Sequence, residues 1–130
     1  MDSTLILCVD DEVPGLELRS TLLAQAGYGV LTATSGEIAI QAFMENQVRC
    51  VVLDYLMPEM NGEEVAKAMR AIKPEVPILL LSGCLSLPNS VFKLVDAFLP
   101  KGGSPEVLVN TVAQMANGEA PTLALSVGSA

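Results

Sequence analysis

The 130-residue chain contains no histidine and only three cysteines. Cys8, Cys50 and Cys84 are odd in number and lack the paired spacing of a metal knuckle, so neither a zinc site nor a disulfide framework is expected. Basic residues are scarce: seven Lys and Arg stand against fifteen Asp and Glu, for a net charge of −8. Duplex binding needs clustered cations to displace counterions, which argues against nucleic acid as a direct partner. A surface this acidic favours cations or basic patches. The opening MDSTLILCVDD has no basic segment and its apolar run ends at two aspartates, so it does not read as a signal peptide. No apolar stretch approaches the roughly 18 residues of a membrane helix. No membrane partner is expected, and a cytoplasmic location is. Internal repeats and interdomain linkers are missing too.

What remains is a chain with 51% hydrophobic and 17% charged residues, long enough for one domain with its own core. Leu5 to Val9, Tyr28 to Ala33, Cys50 to Leu53, Ile78 to Leu81 and Ala97 to Leu99 read as strands. Most are continuous apolar runs, as expected of a parallel sheet covered on both faces. Between them lie helical spacings: Val13, Leu16 and Leu23; Ile38 and Ala42; Val65, Met69 and Ile72; Leu108, Val112 and Met115. Gly27 closes the first helix, Ser35 can cap the second, and Ser104-Pro105 with Glu106 can start the last. Five βα units in a row predict an open, doubly wound α/β domain.

In such a sheet the ligand site lies beyond the carboxyl ends of the strands. The first strand ends at Asp10-Asp11, the third at Asp54, the fourth at Ser82, and the fifth leads to Lys101. Topology therefore predicts three carboxylates, a hydroxyl and an ammonium at one edge. Carboxylates so gathered repel and call for a cation. Oxygen ligands without His or Cys suit Mg²⁺ (or Mn²⁺). A carboxylate can also attack phosphorus to give an acyl phosphate, with metal and lysine neutralising the transferring group.

At these residues the chain resembles the response-regulator receiver family. The features are Cys8-Val9-Asp10-Asp11-Glu12, Leu53-Asp54 through Met57-Pro58 to Asn61-Gly62, Leu81-Ser82-Gly83 and Phe98-Leu99-Pro100-Lys101. The resemblance spans about residues 4 to 117. It implies a flavodoxin-like five-stranded parallel sheet in the order 2-1-3-4-5, flanked by helices on both faces. It implies that Asp54 is the phosphoacceptor, Asp11 a direct Mg²⁺ ligand, Asp10 its water-mediated partner and the Leu56 carbonyl a further ligand. Ser82 resembles the hydroxyl that turns toward the phosphoryl group, Lys101 its counter-ion, and Phe98 the aromatic that moves with it. Phe98 lacks the hydroxyl of the commoner Tyr, and its buried rotamer is expected to be favoured before phosphorylation. The implied partners are a histidine kinase or phosphotransfer protein and a downstream protein target; without His, the chain cannot itself be the histidine phosphodonor.

Two departures from the family pattern concern the readout. Gly102-Gly103 follows Lys101 where many receivers have Pro, so no cis peptide is expected there and the loop gains freedom. Ser82 and Phe98 are 16 positions apart, short by about one helical turn. With Pro88 in the way, the fourth helix should start near Asn89 and stop about Leu94. The receiver is expected to occupy residues 1–118, with 119–130 a loose tail too short for an output domain.

Taken singly, these residues have plainer roles. Asp10-Asp11 could be a turn or cap, Ser82 structural, Lys101 a solvated charge and Phe98 a core aromatic; Gly62 supplies backbone freedom. Cys84 reads as a small space-filler and Cys8 and Cys50 as core, with no redox residue. Two other functions compete. An aspartyl-phosphate phosphohydrolase would place its nucleophile on the first strand as Asp-x-Asp, whereas Asp10 and Asp11 are adjacent and point different ways. A phosphorylation-independent interaction module would not need so complete a pocket. The expectation is a switch and not an enzyme, apart from its own phosphorylation and dephosphorylation.

Overall fold

The computed structural model describes residues 4–83, 87–121 and 125–126, the last two by their backbone alone. The apolar runs form β1 (Leu5–Val9), β2 (Gly29–Ala33), β3 (Cys50–Asp54), β4 (Ile78–Ser82) and β5 (Ala97–Pro100). They pair in parallel in the order β2-β1-β3-β4-β5. The helices are α1 (Val13–Gln25), α2 (Gly36–Glu45), α3 (Gly62–Ile72), α4 (Asn89–Phe92) and α5 (Pro105–Ala116).

Side chains alternate along each strand, and this divides the core. Leu7, Val9, Val51, Leu53, Ile78 and Leu80 face one way, against α2, α3 and α4. Ile6, Cys8, Cys50, Val52, Leu79 and Leu81 face the other, against α1 and α5. The central strands β3 and β4 are buried at every position, which is why their sequences are uninterrupted apolar runs.

The helix ends follow local chemistry. Gly27, just past α1, takes φ +104°, a conformation that favours glycine. The Ser35 side chain accepts from the Ile38 N–H at 3.2 Å, and Asn61 and Glu64 form a reciprocal capping box on α3. Helix α5 begins on Pro105, but the Ser104 side chain makes no capping bond.

The buried stripes differ from the expected ones in part. On α2, Ala39 and Phe43 point inward and Ile38 is 51% exposed. Ile38, Ala39, Ile40, Ala42, Phe43 and Met44 make this helix apolar almost all round, so periodicity does not single out one face. Val13, the first residue of α1, and Ile72, the last of α3, are exposed as well.

Helix α4 is a single turn preceded by Pro88, as the short segment requires. Buried Val91 anchors it, and the Phe92 ring meets Phe98 edge-on with centroids 6.1 Å apart. Arg70 fastens the following turn: Nε donates to the Leu94 carbonyl at 2.8 Å, Nη1 to the Pro74 and Val76 carbonyls at 2.9 Å, and Nη2 pairs with Asp96. Cys84 lies outside the described residues, and no described peptide bond is cis. Composition after Gly118 gives no reason to expect pairing, yet the backbone of β6 (Leu125–Ser126) runs antiparallel to β5 beside Ala97 and Phe98.

Candidate functional site

The sheet register gathers the polar residues. Asp10 follows β1 directly, its N–H donating to the Ala33 carbonyl at 3.1 Å. Asp54 is the last residue of β3 and pairs with Leu81, while Ser82 ends β4. Lys101 follows β5, held by a 2.9 Å bond from its N–H to the Ser82 carbonyl. Asp10, Asp54 and Ser82 are at most 2% exposed, and Asp11 is the most open of the three acids. One carboxylate oxygen from each of Asp10, Asp11 and Asp54 lies within 4.8 Å of the others.

Lys101 spans the group. Its Nζ donates to Glu12 Oε1 at 2.8 Å and lies 3.2 Å from Asp10 Oδ2 and 3.3 Å from Asp54 Oδ2. The last contact is an ion pair without hydrogen-bond alignment: Asp54 Oδ2 and Asp11 Oδ1 are buried and have no hydrogen-bond partner among the described residues. Two unbonded carboxylate oxygens beside a third acid are a donor set that fits a hard divalent cation. Burial, then the charge of Asp10, raises the Asp54 carboxyl to about 6, with Lys101 pulling down and Asp11 adding to the rise. Burial disfavours the Lys101 ammonium, but its bonds to Glu12 and Asp10 and the charge of Asp54 outweigh that and raise its pKa.

Gly62 has a different role from the expected one. It does not adopt positive φ. A β-carbon there would stand 2.8 Å from Tyr55 Cα and 2.9 Å from the Asp54 carbonyl oxygen, so the glycine permits close approach of α3 to the acidic strand end. Leu56, two residues past Asp54, is 58% exposed. Phe98 is half-buried on β5, against Phe92 and the core. Burial pushes the Cys8 thiol up to about 12 and raises that of Cys50, so neither offers a thiolate at neutral pH.

Two participants escaped the sequence reading. Glu12 was visible in the motif but had no role; it holds Lys101. Arg19 on α1 pairs with Asp10. Its signal was legible: Arg19 stands between Leu16 and Leu23 on the buried stripe of α1, where a cation needs a partner.

The family model of the response regulator receiver domain matches residues 6–113. The chain belongs to the response regulator receiver family. The receiver is 34% identical over 109 residues to the response regulator SaeR of Staphylococcus aureus, covering 82% of this chain and 47% of that one. It spans about half the length of the curated relatives it matches. Among solved structures it is similar to the response regulator TrrA from Thermotoga maritima, in complex with Mg²⁺ and BeF, at 31% identity and TM-score 0.81 over 86% of this chain and 98% of that one. The Vibrio cholerae chemotaxis protein CheY4 gives 29% identity and TM-score 0.80, over 87% and 98%.

Proposed function

We propose that this receiver is a phosphorylation switch in which Asp54 accepts phosphate from a histidine of a partner kinase or phosphotransfer protein. The observation that carries the reading is the convergence of Asp10, Asp11 and Asp54 with Lys101, two of the carboxylate oxygens being buried without hydrogen bonds. The solved complex of TrrA with Mg²⁺ and BeF supports it by likeness. Asp10, Asp11, Asp54 and the backbone carbonyl of Leu56 would hold Mg²⁺ (or Mn²⁺). Bound there, the ion would neutralise the carboxylates and the oxygens of the incoming phosphoryl group.

The chain's own residues supply the remaining chemistry. An Asp54 carboxylate oxygen attacks phosphorus, the phosphorus–nitrogen bond of the phosphohistidine breaks, and the imidazole leaves with the electron pair. Phosphorylation replaces the single carboxylate charge of Asp54 with a phosphoryl group of nearly two negative charges and three acceptor oxygens beside Lys101 and Ser82, a net gain of about one charge. Lys101 exchanges carboxylate partners for phosphoryl oxygens, Ser82 gains an acceptor, and Phe98 repacks against α4 as the readout. Output then passes to a protein target through the α4 and β5 face, in the cytoplasm and without direct contact to nucleic acid. The receiver acts as a switch and turns over no substrate beyond its own acyl phosphate.

Incubation with Mg²⁺ and a small acyl-phosphate donor, followed by intact mass, tests this. One added phosphate on wild type and none on Asp54→Ala is expected. Equal addition to both would assign the chemistry elsewhere.

A further inference from the structure

Arg19 sits on the inward stripe of α1, three residues after Leu16 and four before Leu23. Its side chain is 13% exposed, and its guanidinium donates to Oδ2 of Asp10, which is fully buried. The side chain lies back over the preceding turn, the direction helical side chains favour. Gly15, one turn earlier, leaves the path open: a β-carbon there would lie 3.4 Å from both terminal nitrogens of Arg19, so a longer side chain would obstruct it.

A carboxylate offers about four lone-pair sites. Asp10 fills them. Its Oδ1 accepts from the Glu12 N–H at 2.9 Å and from Lys101 Nζ at 3.4 Å; its Oδ2 meets Arg19 and, at 3.2 Å, Lys101. Asp11 and Asp54 differ, each keeping one buried oxygen without a hydrogen bond among the described residues. Within one cluster, then, Asp10 pairs with two protein cations, Asp54 with Lys101 alone, and Asp11 with none among the described residues.

We propose that Arg19 is a built-in competitor at the acidic site: by occupying Asp10 it weakens divalent-cation binding and sets the cation concentration at which the site fills. The proposal rests on the reading of Asp10, Asp11 and Asp54 as a cation site. An ion that draws on Asp10 must take that carboxylate from a largely buried guanidinium, which then loses its partner. The coupling is reciprocal, so a bound ion loosens Arg19 as much as Arg19 loosens the ion. Arg19 is a positioning residue here and touches no reacting atom.

Mn²⁺ binding, followed by the electron paramagnetic resonance signal of the free ion, reads the effect without phosphorylation. Wild type, Arg19→Met, Gly15→Leu, Asp10→Asn and the Asp10→Asn/Arg19→Met pair are compared, each checked for folding by circular dichroism. Arg19→Met is expected to bind about tenfold more tightly than wild type. Gly15→Leu keeps Arg19 but blocks its path, and it is expected to shift affinity the same way. In the Asp10→Asn background the Arg19 change is expected to move affinity by less than twofold. Wild-type affinity in both Arg19→Met and Gly15→Leu would overturn the role of Arg19 while leaving the cation site intact. The same tenfold gain persisting without Asp10 would overturn the route through Asp10. No Mn²⁺ bound by any of the proteins would overturn the cation site itself, and the competitor with it.

Discussion

The Lys101 ammonium stands 3.3 Å from Asp54 Oδ2, set there by the bond from its own backbone N–H to the Ser82 carbonyl. The same ammonium reaches Asp10 and Glu12, so it balances three carboxylates that belong to two chain segments. Its raised pKa means that this contribution is present throughout neutral pH and is lost only in strong alkali. Lys101→Met is expected to lower stability at pH 7 by on the order of 1–2 kcal/mol, by analogy with other partly buried ion pairs. Urea melts in the presence of EDTA measure it, and an unchanged midpoint would show that solvent replaces the ammonium at no cost.

Removing the charge of Asp54 is expected to act in the opposite direction at neutral pH. Its folded pKa, about 6, lies above the ordinary 3.8, so the native state binds this proton more tightly than the unfolded chain. The resulting stabilisation is complete below pH 3.8 and is lost as pH rises through 6. At pH 7.5, without metal, the ionised group burdens the fold. Asp54→Asn is expected to be more stable there by on the order of 1–3 kcal/mol. The advantage should shrink as pH falls from 6 toward 4. Paired thermal melts of the two proteins across that window, in EDTA, check both the sign and the range.

Gly62 allows α3 to approach the strand end that carries Asp54. Its N–H donates to the Tyr55 carbonyl at 2.8 Å, and an added β-carbon would collide with the backbone of Tyr55 and Asp54. Gly62→Ala is expected to cost on the order of 1–3 kcal/mol, the range for overpacking a tight site. Amide shifts should change at Asp54 and Tyr55 and remain as they are at the far end of the sheet. A neutral substitution would mean that the loop yields easily.

Arg70 holds the turn between α4 and β5 to α3 and to the entry of β4, with three carbonyls and Asp96 as partners. Asp96 also accepts from the Ile78 N–H at 2.8 Å, so the guanidinium and β4 share one carboxylate. Arg70→Met is expected to destabilise by on the order of 2–4 kcal/mol, since it leaves several acceptors unpaired. Hydrogen exchange should quicken first at Leu94 and Asp96, whose region has only one turn of helix before it.

The strands were legible because central parallel strands are apolar at every position, and Asp10, Asp54 and Ser82 stood out as polar residues at their ends. The short α4 was legible from Pro88 and from the narrow interval between Ser82 and Phe98. The inward face of α2 was not, because its apolar residues surround the helix and only packing against the sheet chooses Ala39 and Phe43. The role of Gly62 depends on a backbone approach between segments, which no local pattern records. Arg19 lay between these cases: its place on an apolar stripe is in the sequence, but its partner is nine residues away across a loop.

The pairing of Leu125–Ser126 with Ala97 and Phe98 bears on how this molecule meets its own copies. A sheet edge is a row of unsatisfied donors and acceptors that another strand can join. Here the chain spends two residues of its own on that row, at the step beside the aromatic pair Phe92 and Phe98. An incoming strand would have to displace β6 first. The first half of β5 is thereby closed to strand addition, while Leu99 and Pro100 lie beyond the paired stretch.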